Sequence, residues 1–112
     1  MGRISTHVLD SSLGAPGAGV DVTLEFHTSD GWLLRGSGTT DGHGRIDSFI
    51  AEDEAESGNY RLTFDTGSYF HLRNQDSFYP EVVVLFEVTR PEEHHHIPLL
   101  LSPFGYTTYR GS

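Results

Sequence analysis

The chain has 112 residues, a formal charge of −9 and no cysteine. This length predicts one domain over residues 1–112; the missing thiols exclude disulfides and thiolate metal sites, and the acidic balance argues against a nucleic-acid partner, whose phosphates need a positive patch. No stretch is long and apolar enough for a transmembrane helix and no signal peptide precedes Thr6, so the expectation is a cytoplasmic protein with no membrane contact.

Ile4 to Leu9 alternates as a strand, with Ile4, Thr6 and Val8 on one face and Ser5, His7 and Leu9 on the other. Residues 10–19 are rich in glycine and broken by Pro16, and read as a loop. Val20, Val22, Leu24 and Phe26 alternate with Asp21, Thr23, Glu25 and His27, the pattern of a half-buried strand. A short strand follows around Trp32 to Ser37. Thr40-Asp41-Gly42-His43-Gly44 is a turn that delivers Arg45 to another short strand. Ala51 to Ser57 is acidic and reads as a solvated connection. Tyr60, Leu62 and Phe64 mark the next strand. Asp65 or Thr66 then caps a helix of one or two turns near residues 66–73. Glu81 to Val88 is a strand with apolar residues on both faces, closed by Pro91. The final stretch holds two extended segments around Ser102-Pro103. In the first, His95, Ile97, Leu99 and Leu101 share one face, and His94, His96, Pro98, Leu100 and Ser102 the other. The second, Tyr106 to Arg110, ends in aromatics and an arginine, so this terminus is expected to be docked. Seven or eight short strands, one small helix and turn signals between them give an all-β sandwich.

Several polar residues in this pattern can carry chemistry. His7 and His96 both point off the expected core. A face holding imidazoles beside Leu100 and Pro98 is too apolar for water unless a partner covers it. Arg45 presents a planar fork suited to a flat, oxygen-rich anion or a polarised carbonyl, although most such arginines are only solvated. The run His94-His95-His96 raises a metal reading. His95 faces the other way from its neighbours, so only His94 and His96, with His7 as a third ligand, can meet on one zinc ion. Solvent or packing roles are preferred for His94 and His95, and no metal or cofactor is expected.

His96-Ile97-Pro98-Leu99, and Tyr106-Thr107-Thr108-Tyr109-Arg110-Gly111-Ser112 at the end, resemble the transthyretin-related 5-hydroxyisourate hydrolases. Thr6-His7-Val8-Leu9-Asp10 and the pair Gly44-Arg45 match as well, so the resemblance spans essentially the whole chain. Thr107, where the family commonly has serine, and His95, where it commonly has tyrosine, are mild departures. The resemblance implies a prealbumin-like sandwich of two four-stranded sheets. It implies cofactor-free hydrolysis of 5-hydroxyisourate in urate catabolism, at a site lined by His7, Arg45, His96 and the Tyr109-to-Ser112 terminus. His7 or His96 would take a proton from water, since a neutral imidazole can do so near neutral pH; which of the two does so stays open. Arg45 would bind substrate and stabilise developing negative charge, and Tyr109 and Ser112 would close the pocket. The resemblance also implies a homotetramer, a dimer of dimers with its sites at the dimer–dimer contact. The rival readings are a transthyretin-like small-molecule carrier, because fold alone does not fix function, and the His7/His94/His96 zinc site.

Overall fold

The computed structural model describes residues 2–51 and 54–112. Two sheets face each other. The first contains β1 (Ile4–Asp10), β8 (His95–Ser102) and β9 (Gly105–Thr108), with the two-residue strands β2 (Ala15–Pro16) and β5 (Arg45–Ile46) both paired to β1. The second runs in the order β4 (Gly31–Thr39), β3 (Asp21–Thr28), β6 (Gly58–Phe64), β7 (Val82–Val88), with every pair antiparallel. One helix, α1 (Thr66–His71), follows β6. The expected sandwich, with a single short helix among the described residues, is therefore present, and the first sheet reaches five strands by counting its two-residue pieces. No helix among the described residues is long and apolar enough to cross a membrane.

The period-two patterns explain the layers. Ile4 and Val8 of β1 and Ile97, Leu99 and Leu101 of β8 turn inward. They meet Val22, Leu24, Tyr60, Leu62, Phe64, Val82 and Val84 of the second sheet in one buried core. Each aliphatic side chain taken fully out of water there contributes about 1.5–3 kcal/mol. β1 pairs in parallel with β8 over the whole of its own length, from Ile4 opposite His95 to Asp10 opposite Leu101. The two ends of the chain thus form the middle of one sheet. Thr6 reinforces the pairing by donating its hydroxyl to the Ile97 carbonyl at 2.6 Å.

Residues 10–19 are not wholly loop, because Ala15 and Pro16 pair with Asp10 and Leu9. Proline is tolerated there because the piece lies at a sheet edge, where a missing N–H leaves no ladder bond unmade. Of the acidic connection expected over 51–57, residues 52 and 53 lie outside the described residues; Glu54 and Glu56 are exposed.

The helix is too short to be stable alone. Asp65 caps it, accepting from the Ser68 N–H at 3.2 Å and the Ser68 hydroxyl at 2.8 Å. Tyr69 and Phe70 bury against the sandwich. The Tyr69 hydroxyl donates to the Asp10 carboxylate at 2.7 Å, in a fully buried contact. The other Asp10 oxygen accepts from the Ser12 N–H at 3.0 Å and the Leu13 N–H at 3.2 Å, and also from the Ser12 hydroxyl. Burial raises the Asp10 carboxyl, but these donors outweigh it and hold its pKa below the usual value. Burial, with the bond to Asp10, pushes the Tyr69 hydroxyl up to about 12. Asp10 thereby fixes the end of β1 against both the following turn and the helix.

Candidate active site

The outer face of the first sheet gathers the polar residues that the alternation had sent off the core. Ser5 lies opposite His96 across the β1–β8 ladder, and His7 lies opposite Arg45 across the β1–β5 pair. Directly paired residues point to the same face, so Ser5, His7, Arg45 and His96 share one surface. Arg45 reaches it through a turn built by Asp41, whose side chain accepts from the His43 N–H at 2.9 Å and the Arg45 N–H at 3.0 Å. Gly44 is needed in this turn. Its φ is +78°, and a Cβ there would sit 2.3 Å from the Val8 carbonyl oxygen.

Both histidines are held toward the neutral form. The pKa of His7 is lowered first by burial and then by the Arg45 guanidinium, against an opposing effect of the His43 backbone. That of His96 is lowered by burial, then by His94, Arg45, His7 and Arg3. Arg45 is exposed, and among the described residues no carboxylate lies within ion-pairing distance of it. Two imidazoles shifted toward the neutral form, beside a guanidinium with no carboxylate at ion-pairing distance among the described residues, suit a small anion and a proton transfer.

The end of the chain closes on His96. The Gly111 N–H donates to the His96 carbonyl at 2.8 Å. A Cβ on Gly111 would come within 2.6 Å of His96 Cδ2 and 3.1 Å of Pro98 Cγ, so only glycine fits this approach. Pro98, expected to need a partner's cover, is already buried within the chain. Arg110 donates to Glu93 at 3.2 Å and ties the terminus to the start of β8. Tyr109 is 56% exposed and lines a cleft of about 290 Å³ at the side of the sandwich, with Val84, Phe86, His95, His96 and Thr108. Tyr109 and His96 share this cleft, whereas His7 and Arg45 do not line it. Ser112 is exposed.

Sequence reasoning gave Ser5 no role and His94 only a metal, solvent or packing one. Ser5 Oγ lies 2.6 Å from His94 Nε2 and 2.7 Å from His96 Nδ1, joining the two imidazoles through one hydroxyl. The available signal was the shared parity of His94 and His96, which had been weighed only for a metal. Among the described residues no group of three His, Asp or Glu side chains is placed to hold a metal ion. His95, by contrast, is buried and donates Nδ1–H to the Glu93 carbonyl at 3.0 Å, a packing role.

Comparison with known proteins places this geometry in context. A sequence model described as the HIUase/Transthyretin family matches residues 4–111. A 5-hydroxyisourate hydrolase of Salmonella dublin is 46% identical over 109 residues, covering 97% of this chain and 80% of that protein. Among solved structures, the 5-hydroxyisourate hydrolase of Klebsiella pneumoniae superposes with a TM-score of 0.86 at 34% identity, over 98% of this chain and 99% of that one. Transthyretin from Sparus aurata superposes with a TM-score of 0.91 at 32% identity, over 97% of this chain and 96% of that one.

Proposed function

The chain belongs to the HIUase/Transthyretin family, and from that premise we propose that it hydrolyses 5-hydroxyisourate in urate catabolism. The observation that carries this reading is the meeting of His7, Arg45 and His96 on the outer face of the first sheet. Hydrolysis of a cyclic ureide needs a base for water, a stabiliser for the oxyanion and a proton for the leaving nitrogen. His7 and His96, whose pKa values are lowered first by burial and then by Arg45 and by His94 respectively, supply the base and the proton donor. Arg45 receives the anionic ring through its planar fork and stabilises the charge that develops on the attacked carbonyl. Tyr109, beside His96 in the edge cleft, and Ser112 bound the substrate.

The carrier reading remains compatible with the fold, since Sparus aurata transthyretin superposes as well as the hydrolase does. The polar face argues against it. A site for an apolar ligand would not set two imidazoles and a guanidinium side by side. The assembly proposed is a homotetramer, a dimer of dimers that stacks these faces. Leu9 and Leu100 on the same face are only half-buried in the single chain, and stacking would remove them from water.

The test is spectroscopic. Purified protein is added to freshly generated 5-hydroxyisourate and the ultraviolet decay is followed against a buffer control, with sedimentation run in parallel. Acceleration by a tetramer is the expected result. Decay at the buffer rate sinks the hydrolase reading, and full activity from a monomer sinks the stacked assembly.

A further inference from the structure

A hydroxyl has one proton to give, and Ser5 stands between two ring nitrogens. It can donate to only one of them, so the other must bring its own N–H. Ser5 is buried at 4% exposure, and both of its neighbours, His94 Nε2 at 2.6 Å and His96 Nδ1 at 2.7 Å, lie at good hydrogen-bonding distance. Two neutral histidines can satisfy this bridge in two ways. Either His96 donates from Nδ1 and His94 accepts at Nε2, or the whole chain runs in reverse. The first arrangement leaves the lone pair of His96 on Nε2; the second puts the proton there.

We propose that Ser5 and His94 are positioning residues for His96: the Ser5 hydroxyl accepts from His96 Nδ1–H and donates to His94 Nε2, leaving His96 Nε2 as the unprotonated nitrogen of the site. This rests on the hydrolase reading above and deepens it, because it makes His96 the group that receives the proton of the attacking water.

Two features select this direction. When His96 gains a proton, both of its nitrogens carry N–H, and only this direction keeps the bridge intact without turning the hydroxyl. The pKa of His94, an exposed residue, is lowered by what burial its ring has, then by Arg3 and His95, which favours its acting as the acceptor. The groups facing His96 that bear on its charge are His94, Arg45, His7 and Arg3. Its ring is also held on the opposite edge, where Gly111 packs against Cδ2. A ring fixed in position and in tautomer can present one nitrogen to water without first reorganising.

Nitrogen-15 NMR of histidine-labelled wild-type protein reads the tautomers directly and needs no substrate. His96 should carry its proton on Nδ1, with His94 Nε2 unprotonated. In Ser5→Ala, His96 should become a mixture of tautomers, and kcat on 5-hydroxyisourate should fall about tenfold to a hundredfold with KM little changed. Ser5→Thr keeps the hydroxyl and should restore both signals, and His94→Asn should resemble Ser5→Ala. A wild-type His96 protonated on Nε2 overturns the proposal. So does a folded Ser5→Ala protein with wild-type kcat. If the wild-type protein does not turn over 5-hydroxyisourate, the hydrolase reading fails, while the tautomer measurement still decides the bridge.

Discussion

The outer faces of the two sheets are built from the same residue types and end in opposite states. On the second sheet, Arg61 donates to Glu25 at 2.7 Å, and its guanidinium lies 4.3 Å from the centre of the Trp32 ring. His27 packs its ring against the same Trp32, with the ring centres 4.9 Å apart. Each cation there has a partner, and the Glu25 bond raises the pKa of Arg61. On the first sheet, Arg45 has no carboxylate partner among the described residues, and His7, His94 and His96 are all shifted toward neutrality. A charge already matched is a surface feature; an arginine with no ion-paired carboxylate among the described residues, in a chain of net charge −9, suits the receipt of an anion. Parity alone could not separate the two faces.

The largest effect that would break this contrast is catalytic. His7→Asn and His96→Asn keep polarity but cannot accept a proton near neutral pH, and each should lower kcat by on the order of 10²–10⁴-fold in the ultraviolet assay. Arg45→Lys keeps the charge and loses the fork, and should also reduce turnover strongly. Retention of full activity by these variants would return the first face to the status of the second.

Next in size is the buried Asp10, which serves the fold rather than the face. Asp10→Ala strands the Tyr69 hydroxyl and the donors of Ser12 and Leu13. It should cost about 2–4 kcal/mol in denaturant unfolding, whereas Tyr69→Phe should cost about 1–2 kcal/mol. Equal, negligible losses would mean that the turn and helix do not depend on this carboxylate.

The pH dependence sharpens the contrast at smaller scale. His7, His94 and His96 have folded pKa values below that of a free histidine. Above about pH 6.5 both folded and unfolded forms are neutral, so these groups leave stability flat. As pH falls through that value the unfolded chain takes up protons that the folded one refuses, and stability declines. Unfolding midpoints measured between about pH 7.5 and 5.5 should show this slope, and His96→Asn should flatten part of it. The smallest effect belongs to the second face. Arg61→Met should cost about 1 kcal/mol or less and leave the decay of 5-hydroxyisourate unchanged.

Much was legible in the sequence because it depends on local periodicity. Ile4, Thr6 and Val8 against Ser5, His7 and Leu9 named the two faces of β1, and Ile97, Leu99 and Leu101 named the buried face of β8, since strand side chains alternate regardless of what they meet. Asp65 or Thr66 announced the helix start for the same reason, because capping is a contact over three residues, and Asp65 is the one that caps. Motif resemblance supplied the family, and Gly44 and Gly111 now have a physical cause in the close backbone approaches they allow.

What only the tertiary structure decided involves partners far apart in the chain. The parallel register that sets Ser5 opposite His96 joins residues 91 positions apart. No local pattern encodes which strand lies next to which, or in which register. For that reason the His94–Ser5–His96 bridge was invisible, and His94 was expected to stand outside the chemistry. The same holds for Asp10 and Tyr69, 59 residues apart. Alternation fixes which way a side chain points; only the packed sheets fix what it meets there.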